Sequence, residues 1–209
     1  MISTRAKISF VYFRERTSDE GLLPHLRTLV VRAGALEAQG AILPDPGPLT
    51  GRLINLMEGG SRTDPVFIHR DADMPSGDAR RAEIAAAAVQ AGSQMPVVPV
   101  IPVRALEAWL LRSESEIRRV VGRPGGRTPL SLPGLHEVER RADPKGILRK
   151  ALLDASETTG RRHLRELKAF NERRKVLLDR LDIDGPVRRL SAWRAMEEDI
   201  KQAIAGLMS

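Results

Sequence analysis

Apolar residues along the first half of the chain fall alternately into short continuous runs and helical spacings, and in the second half into helical spacings alone. Lys7–Phe13 (KISFVYF) is β-branched and aromatic, which predicts a buried strand. Leu22, Leu23, Leu26, Leu29, Val30 and Ala33 recur at helical intervals, with Ser18 or Asp19 as cap and Gly34 or Gly40 as stop. Ala41–Leu43 is a weak strand, Pro44, Pro46, Gly47 and Pro48 mark a loop, and Gly51–Glu58 predicts a short helix. Pro65–His69 (PVFIH) predicts a second strong strand, running directly into Arg70-Asp71-Ala72-Asp73. After a turn at Pro75–Gly77 come an alanine-rich helix, Asp78–Gln90, and a third strand run, Met95–Val103. Three prolines in that run predict an edge strand, or one shorter than the run, because proline cannot donate to a ladder.

Beyond Arg104 the strand signals stop. Helices are predicted at Arg104–Arg112, Ser115–Val121, Leu135–Arg141, Pro144–Ala155, Arg161–Arg180 and Val187–Met208, with a long loop at Gly122–Pro133. Strand and helix in alternation predict an α/β fold with a mostly parallel sheet flanked by helices. The expected organisation is an α/β core at residues 1–112 and a helical, basic extension at 113–209 packed on it.

Charge sharpens this division. Residues 1–102 carry 11 basic and 11 acidic side chains, whereas residues 103–209 carry 23 and 16, which is the whole net charge of +7. Of the 34 basic residues 28 are arginine, a side chain suited to bidentate phosphate contacts. Nucleic acid is the partner such a charge implies. The densest basic stretch contains Arg161, Arg165 and Lys168 on one helical face, followed by Arg173. It reads either as a phosphate-tracking surface or as a solvated face paired with Glu157, Glu166 and Glu172. Without interleaved aromatics, binding there would be directed at the backbone. The chain has no cysteine, which excludes disulfides, thiolate metal sites and a thiol nucleophile. No run approaches the roughly 18 apolar residues of a membrane span. With no secretory signal in the first residues, a soluble cytoplasmic protein is expected.

Candidate chemistry lies where the strand runs end. Glu15 follows the first strand by two residues, Asp71 and Asp73 follow the second, and Glu107 follows the third. In an open parallel sheet ligands bind beyond the carboxyl ends of the strands. Four carboxylates there would repel each other, and a hard divalent cation is the usual remedy. Glu107 could instead pair with Arg104 or Arg112, and Asp19 could simply cap a helix. Tyr12 and His69 read as core residues, and Trp109 and Trp193 as core anchors. No zinc-binding histidine spacing, nucleophile elbow or P-loop occurs in the chain.

A glutamate after the first strand and a D-x-D after a later one resemble the TOPRIM domain. Glu15-Arg16-Thr17-Ser18-Asp19-Glu20 is similar to the E-G-x-T-D opening of OLD-type TOPRIM nuclease domains, with Arg16 where the pattern has glycine. Phe67–Asp73 (FIHRDAD) resembles their metal strand. Ala105–Leu111 (ALEAWLL), Asp143-Pro144-Lys145 and the Pro186–Ile204 stretch resemble small bacterial TOPRIM-like proteins. Those proteins accompany an ABC-type ATPase and are linked to phage defence. The resemblance implies Mg²⁺ or Mn²⁺ held by Glu15, Asp71 and Asp73, with Glu107 as a further ligand or an orienter of ligands. It implies Glu15 as proton shuttle and Lys145 against the scissile phosphate. The expected function is phosphodiester hydrolysis of nucleic acid. The alternative is a non-catalytic subunit that docks on the ATPase, and an oligomer is left open.

Overall fold

The computed structural model describes residues 7–43, 47–60 and 64–208. The turn expected at Pro44 and Pro46 lies outside the described residues. The chain divides into two compact units. One comprises the residues through Arg70 with Gly77–Ile101 and the chain from Arg194 on; the other comprises Asp71–Ser76 and Pro102–Trp193. The two thus interleave along the sequence, where a single boundary at residue 112 was expected. Backbone pairing gives the reason for the early switch. Ala72 N–H donates to Pro102 O at 3.0 Å, Asp73 N–H to Arg104 O at 3.0 Å, and Arg104 N–H to Met74 O at 3.2 Å. The short segment after Arg70 is therefore tied to the segment after Ile101.

The first unit is an α/β sheet structure. Strands β1 (Lys7–Phe13), β2 (Glu37–Ile42), β3 (Val66–His69) and β4 (Val97–Val100) form one sheet in the order β2-β1-β3-β4. All three pairings are parallel, with Tyr12 opposite Ile42 and Phe67, and Phe67 opposite Val98. Helices α1 (Leu23–Arg32), α2 (Leu49–Glu58) and α3 (Asp78–Gln90) follow β1, β2 and β3. Every carboxyl end therefore falls at the same edge of the sheet. The order reverses direction between β1 and β3, so the switch point where such sheets bind ligands lies at those two ends. Of the two central strands, β3 is buried along its whole length and β1 from Phe10 to Phe13, as the middle of a parallel sheet is. Phe10 and Phe67 pack with ring centroids 4.6 Å apart, and the Arg52 guanidinium lies 4.0 Å above the Phe13 ring. The proline-rich β4 is an edge strand and shorter than its apolar run, as its composition predicts.

β2 starts four residues before the weak strand expected at Ala41. Its sequence, EAQGAI, has no apolar alternation because it is an outer strand whose only deeply buried residue is Gly40. A Cβ on Gly40 would meet the Phe10 ring at 2.5 Å and Leu23 Cδ1 at 2.6 Å. Glycine lets the outer strand lie close against its neighbours.

The second unit is helical, with no strand among its described residues. It contains α4 (Glu107–Leu110), α5 (Glu114–Val120), α6 (Leu135–Val138), α7 (Pro144–Ser156), α8 (Gly160–Lys168) and α9 (Phe170–Asp179). Trp109 and Trp193 meet edge to face, centroids 4.9 Å apart, and anchor its core with Leu106, Ile117 and Leu148. Asp143 caps α7, its carboxylate accepting from Gly146 N–H at 2.7 Å, with Pro144 at the first helical position. The single helix expected over Arg161–Arg180 is two helices that break at Ala169. A closing helix, α10 (Ser191–Leu207), ends the chain. No helix among the described residues is long and apolar enough to cross a membrane.

Candidate metal centre

Three side chains near the carboxyl ends of β1 and β3 can offer ligands to one ion. One oxygen of Glu15, one ring nitrogen of His69 and one oxygen of Asp71 all lie within 4.8 Å of one another. Glu15 is half-buried, while His69 and Asp71 are buried.

His69 is the last residue of β3 and is held from behind. Its Nδ1 lies 3.0 Å from Tyr12 Oη and 3.7 Å from Asp19 Oδ2. Tyr12 Oη in turn donates to the Asp19 carbonyl at 3.3 Å. A hydroxyl that donates its one proton to that carbonyl must accept from the ring, which puts the His69 proton on Nδ1. In the neutral tautomer so selected Nε2 carries the lone pair. This is the arrangement by which an outer hydrogen bond orients a metal-binding imidazole. Tyr12 is thus the expected core residue with a polar task added. Asp19 is fixed as well: its carboxylate accepts from Arg16 N–H at 3.1 Å and from Ser18 Oγ at 3.3 Å. Asp19 does not cap the helix that follows, whose first turn has Leu22 as its cap and no side-chain bond; it sits inside the 3₁₀ turn Thr17–Leu22, and its carboxylate satisfies the backbone of Arg16 at the start of that turn.

Within its own unit Asp71 is anchored by the Leu106 backbone, whose N–H donates to Oδ1 at 2.9 Å. Alternate residues of an extended chain project the same way, so His69 and Asp71 share a direction. Asp73 does not continue it. Its φ of 58° is left-handed, which ends the alternation, and its side chain is exposed. Arg104, with φ 64°, faces it across the paired turn and donates from Nη1 to Asp73 O at 3.3 Å. Asp73 is therefore not one of the three clustered residues.

Glu107 is not among them either. It lies in α4, 1% exposed, and Arg174 Nε of α9 donates to its Oε1 at 2.7 Å. Pairing was the expected alternative, but the partner is 67 residues away and neither Arg104 nor Arg112. Lys145 is exposed in the first turn of α7. The basic residues divide. Arg173 spends its donors inside the unit, on Glu166 at 3.0 Å and on Val120 O at 2.8 Å. Arg161, Arg165 and Lys168 are exposed on α8.

Sequence reasoning placed His69 in the core and stopped there. The signal was present: His69-x-Asp71 has the same two-residue spacing as Asp71-x-Asp73, and begins on a strand. No protein-family model, curated protein or solved structure matches this chain.

Proposed function

We propose that the protein is a divalent-metal-dependent phosphodiester hydrolase of the TOPRIM kind acting on nucleic acid. The observation that carries this reading is the convergence of Glu15, His69 and Asp71 ligand atoms within 4.8 Å, with His69 fixed by Tyr12. Two carboxylates and an imidazole fit a six-coordinate divalent cation that takes both oxygen and nitrogen donors, which favours Mn²⁺ over Mg²⁺. When bound, such an ion polarises a phosphoryl oxygen and lowers the pKa of water. His69 contributes a neutral nitrogen, so only the two carboxylates add charge. Asp71 is held in place by the Leu106 N–H. Glu15, the least buried of the three, is the group suited to accept a proton from attacking water. Lys145 is a candidate to neutralise the departing oxygen, and the basic balance of residues 103–209 suits a polyanionic substrate.

The test pairs thermal melting with a cleavage assay. Asp71→Asn keeps an oxygen able to accept from Leu106 N–H but removes one charge from the group. Wild type should melt higher with Mn²⁺, the variant should melt at or above wild type without metal, and its metal response should be lost. Cleavage of single-stranded DNA, duplex DNA or RNA in Mn²⁺ should vanish in the variant. If Mn²⁺ raises neither melting point and the variant is markedly less stable, the carboxylate is structural. The reading as a non-catalytic subunit docking on an ABC-type ATPase then takes its place.

A further inference from the structure

The second unit carries a helix that contributes nothing to the Glu15, His69 and Asp71 group. Helix α8 (GRRHLRELK) has no buried residue. His163 and Glu166 are its half-buried positions: His163 Nδ1 lies 3.2 Å from Thr158 O, and Glu166 pairs with Arg173 at 3.0 Å. The helix packs on α7 and α9. The opposite face carries Arg161, Leu164, Arg165, Leu167 and Lys168, three or four residues apart and so adjacent on the surface. Leu164 is 59% exposed and Leu167 40%. Arg161, Arg162, Arg165 and Lys168 have no ion-pair partner among the described residues, and the one carboxylate of the helix is committed to Arg173.

We infer that this face of α8 is a docking surface for an acidic amphipathic helix of a protein partner. Charge complementarity selects the occupant. The face presents fixed positive charge with no acidic residue on it, beside two leucines held in water at a cost in apolar exposure. A partner helix with leucines along one stripe and carboxylates beside it would cover both. A nucleic-acid backbone would engage the cations and leave the leucines wet. Two leucines on a nine-residue helix are too little apolar surface for insertion into a bilayer. This inference stands apart from the metal-site reading, since it invokes none of Glu15, His69 or Asp71.

The probe is a fluorescein-labelled synthetic peptide with leucines at i, i+3, i+4 and i+7 and glutamates at the flanking positions. Binding to the full-length protein is read by anisotropy, beside a labelled DNA duplex and vesicles of phosphatidylserine and phosphatidylcholine. The variants are Leu164→Ser with Leu167→Ser, and Arg161→Glu with Arg165→Glu; all four positions are exposed, and circular dichroism checks the fold. Peptide affinity should fall about tenfold or more in both variants. Duplex affinity should be indifferent to the leucine change. Three results would overturn the proposal: no binding of the peptide by wild type, equal binding by the leucine variant, or leucine-dependent binding to vesicles alone. Duplex binding lost with the arginines, with no peptide binding, would hand this face to nucleic acid.

Discussion

Tyr12 and Arg174 show how much a single buried polar contact decides. Tyr12 is fully buried, and its hydroxyl joins the Asp19 carbonyl to His69 Nδ1. Tyr12→Phe keeps the ring and deletes the hydroxyl. Stability should fall by about 1 to 2 kcal/mol, the cost of leaving buried partners unsatisfied. Mn²⁺ affinity should fall about 10-fold or more, because the imidazole loses its orienting partner. Calorimetric titration reads the second effect, and unchanged affinity would mean that His69 is no ligand. Arg174 and Glu107 are 3% and 1% exposed and joined at 2.7 Å. Removing one member of such a pair strands a charge in low dielectric. Arg174→Ala should therefore cost about 3 to 5 kcal/mol in urea denaturation. A loss below about 1 kcal/mol would show the pair to be solvated in solution.

At the scale of elements, caps and loop ties decide where helices stop. Helix α7 ends at Glu157, whose φ of 50° and ψ of 34° are left-handed. Its Oε1 accepts from Arg127 N–H at 2.7 Å and Thr128 N–H at 3.0 Å, so the helix end holds the loop after α5. The Thr128 backbone bond, then that of Arg127, lowers the Glu157 pKa below its ordinary value of 4.5. A depressed carboxylate adds stability that is complete above the ordinary value and is lost as pH falls through the folded one. Amide exchange at Arg127 and Thr128, corrected for intrinsic rates, should rise as pH drops well below the ordinary value of 4.5. Glu157→Gln should show the raised exchange at neutral pH and lose the pH dependence. The break between α8 and α9 is also an element-scale matter. Residues 161–180 carry one continuous helical spacing, yet the helix stops at Ala169, and Phe170 then enters the core.

For the molecule as a whole, the proposed metal binding would be linked to stability. An ion that binds only the folded chain at 100 times its dissociation constant adds about 2.7 kcal/mol. For a chain of 209 residues that corresponds to a rise in melting temperature of about 5 to 11 °C with Mn²⁺. The rise should be smaller with Mg²⁺, which gains less from an imidazole ligand. Equal shifts with the two ions would argue that His69 does not ligate.

The α/β class, the parallel sheet, the edge position of β4 and the helical second half were all legible in the chain. Each follows from periodicity and proline chemistry, which act over a few residues. So was the placing of Glu15 and Asp71 at strand ends, because strand runs mark their own ends. What the chain left undetermined was set by partners remote in sequence. β2 exists because β1 offers it a ladder, not because EAQGAI favours extension. Asp73 falls outside the group, its backbone left-handed in a turn paired with Arg104, 31 residues on. Glu107 pairs through Oε1 with Arg174, and His69 is oriented by Tyr12, 57 residues away. Local pattern carries the class of fold and the neighbourhood of the site. Which buried groups pair, and which remain to hold a ligand, depends on contacts that only the folded chain creates.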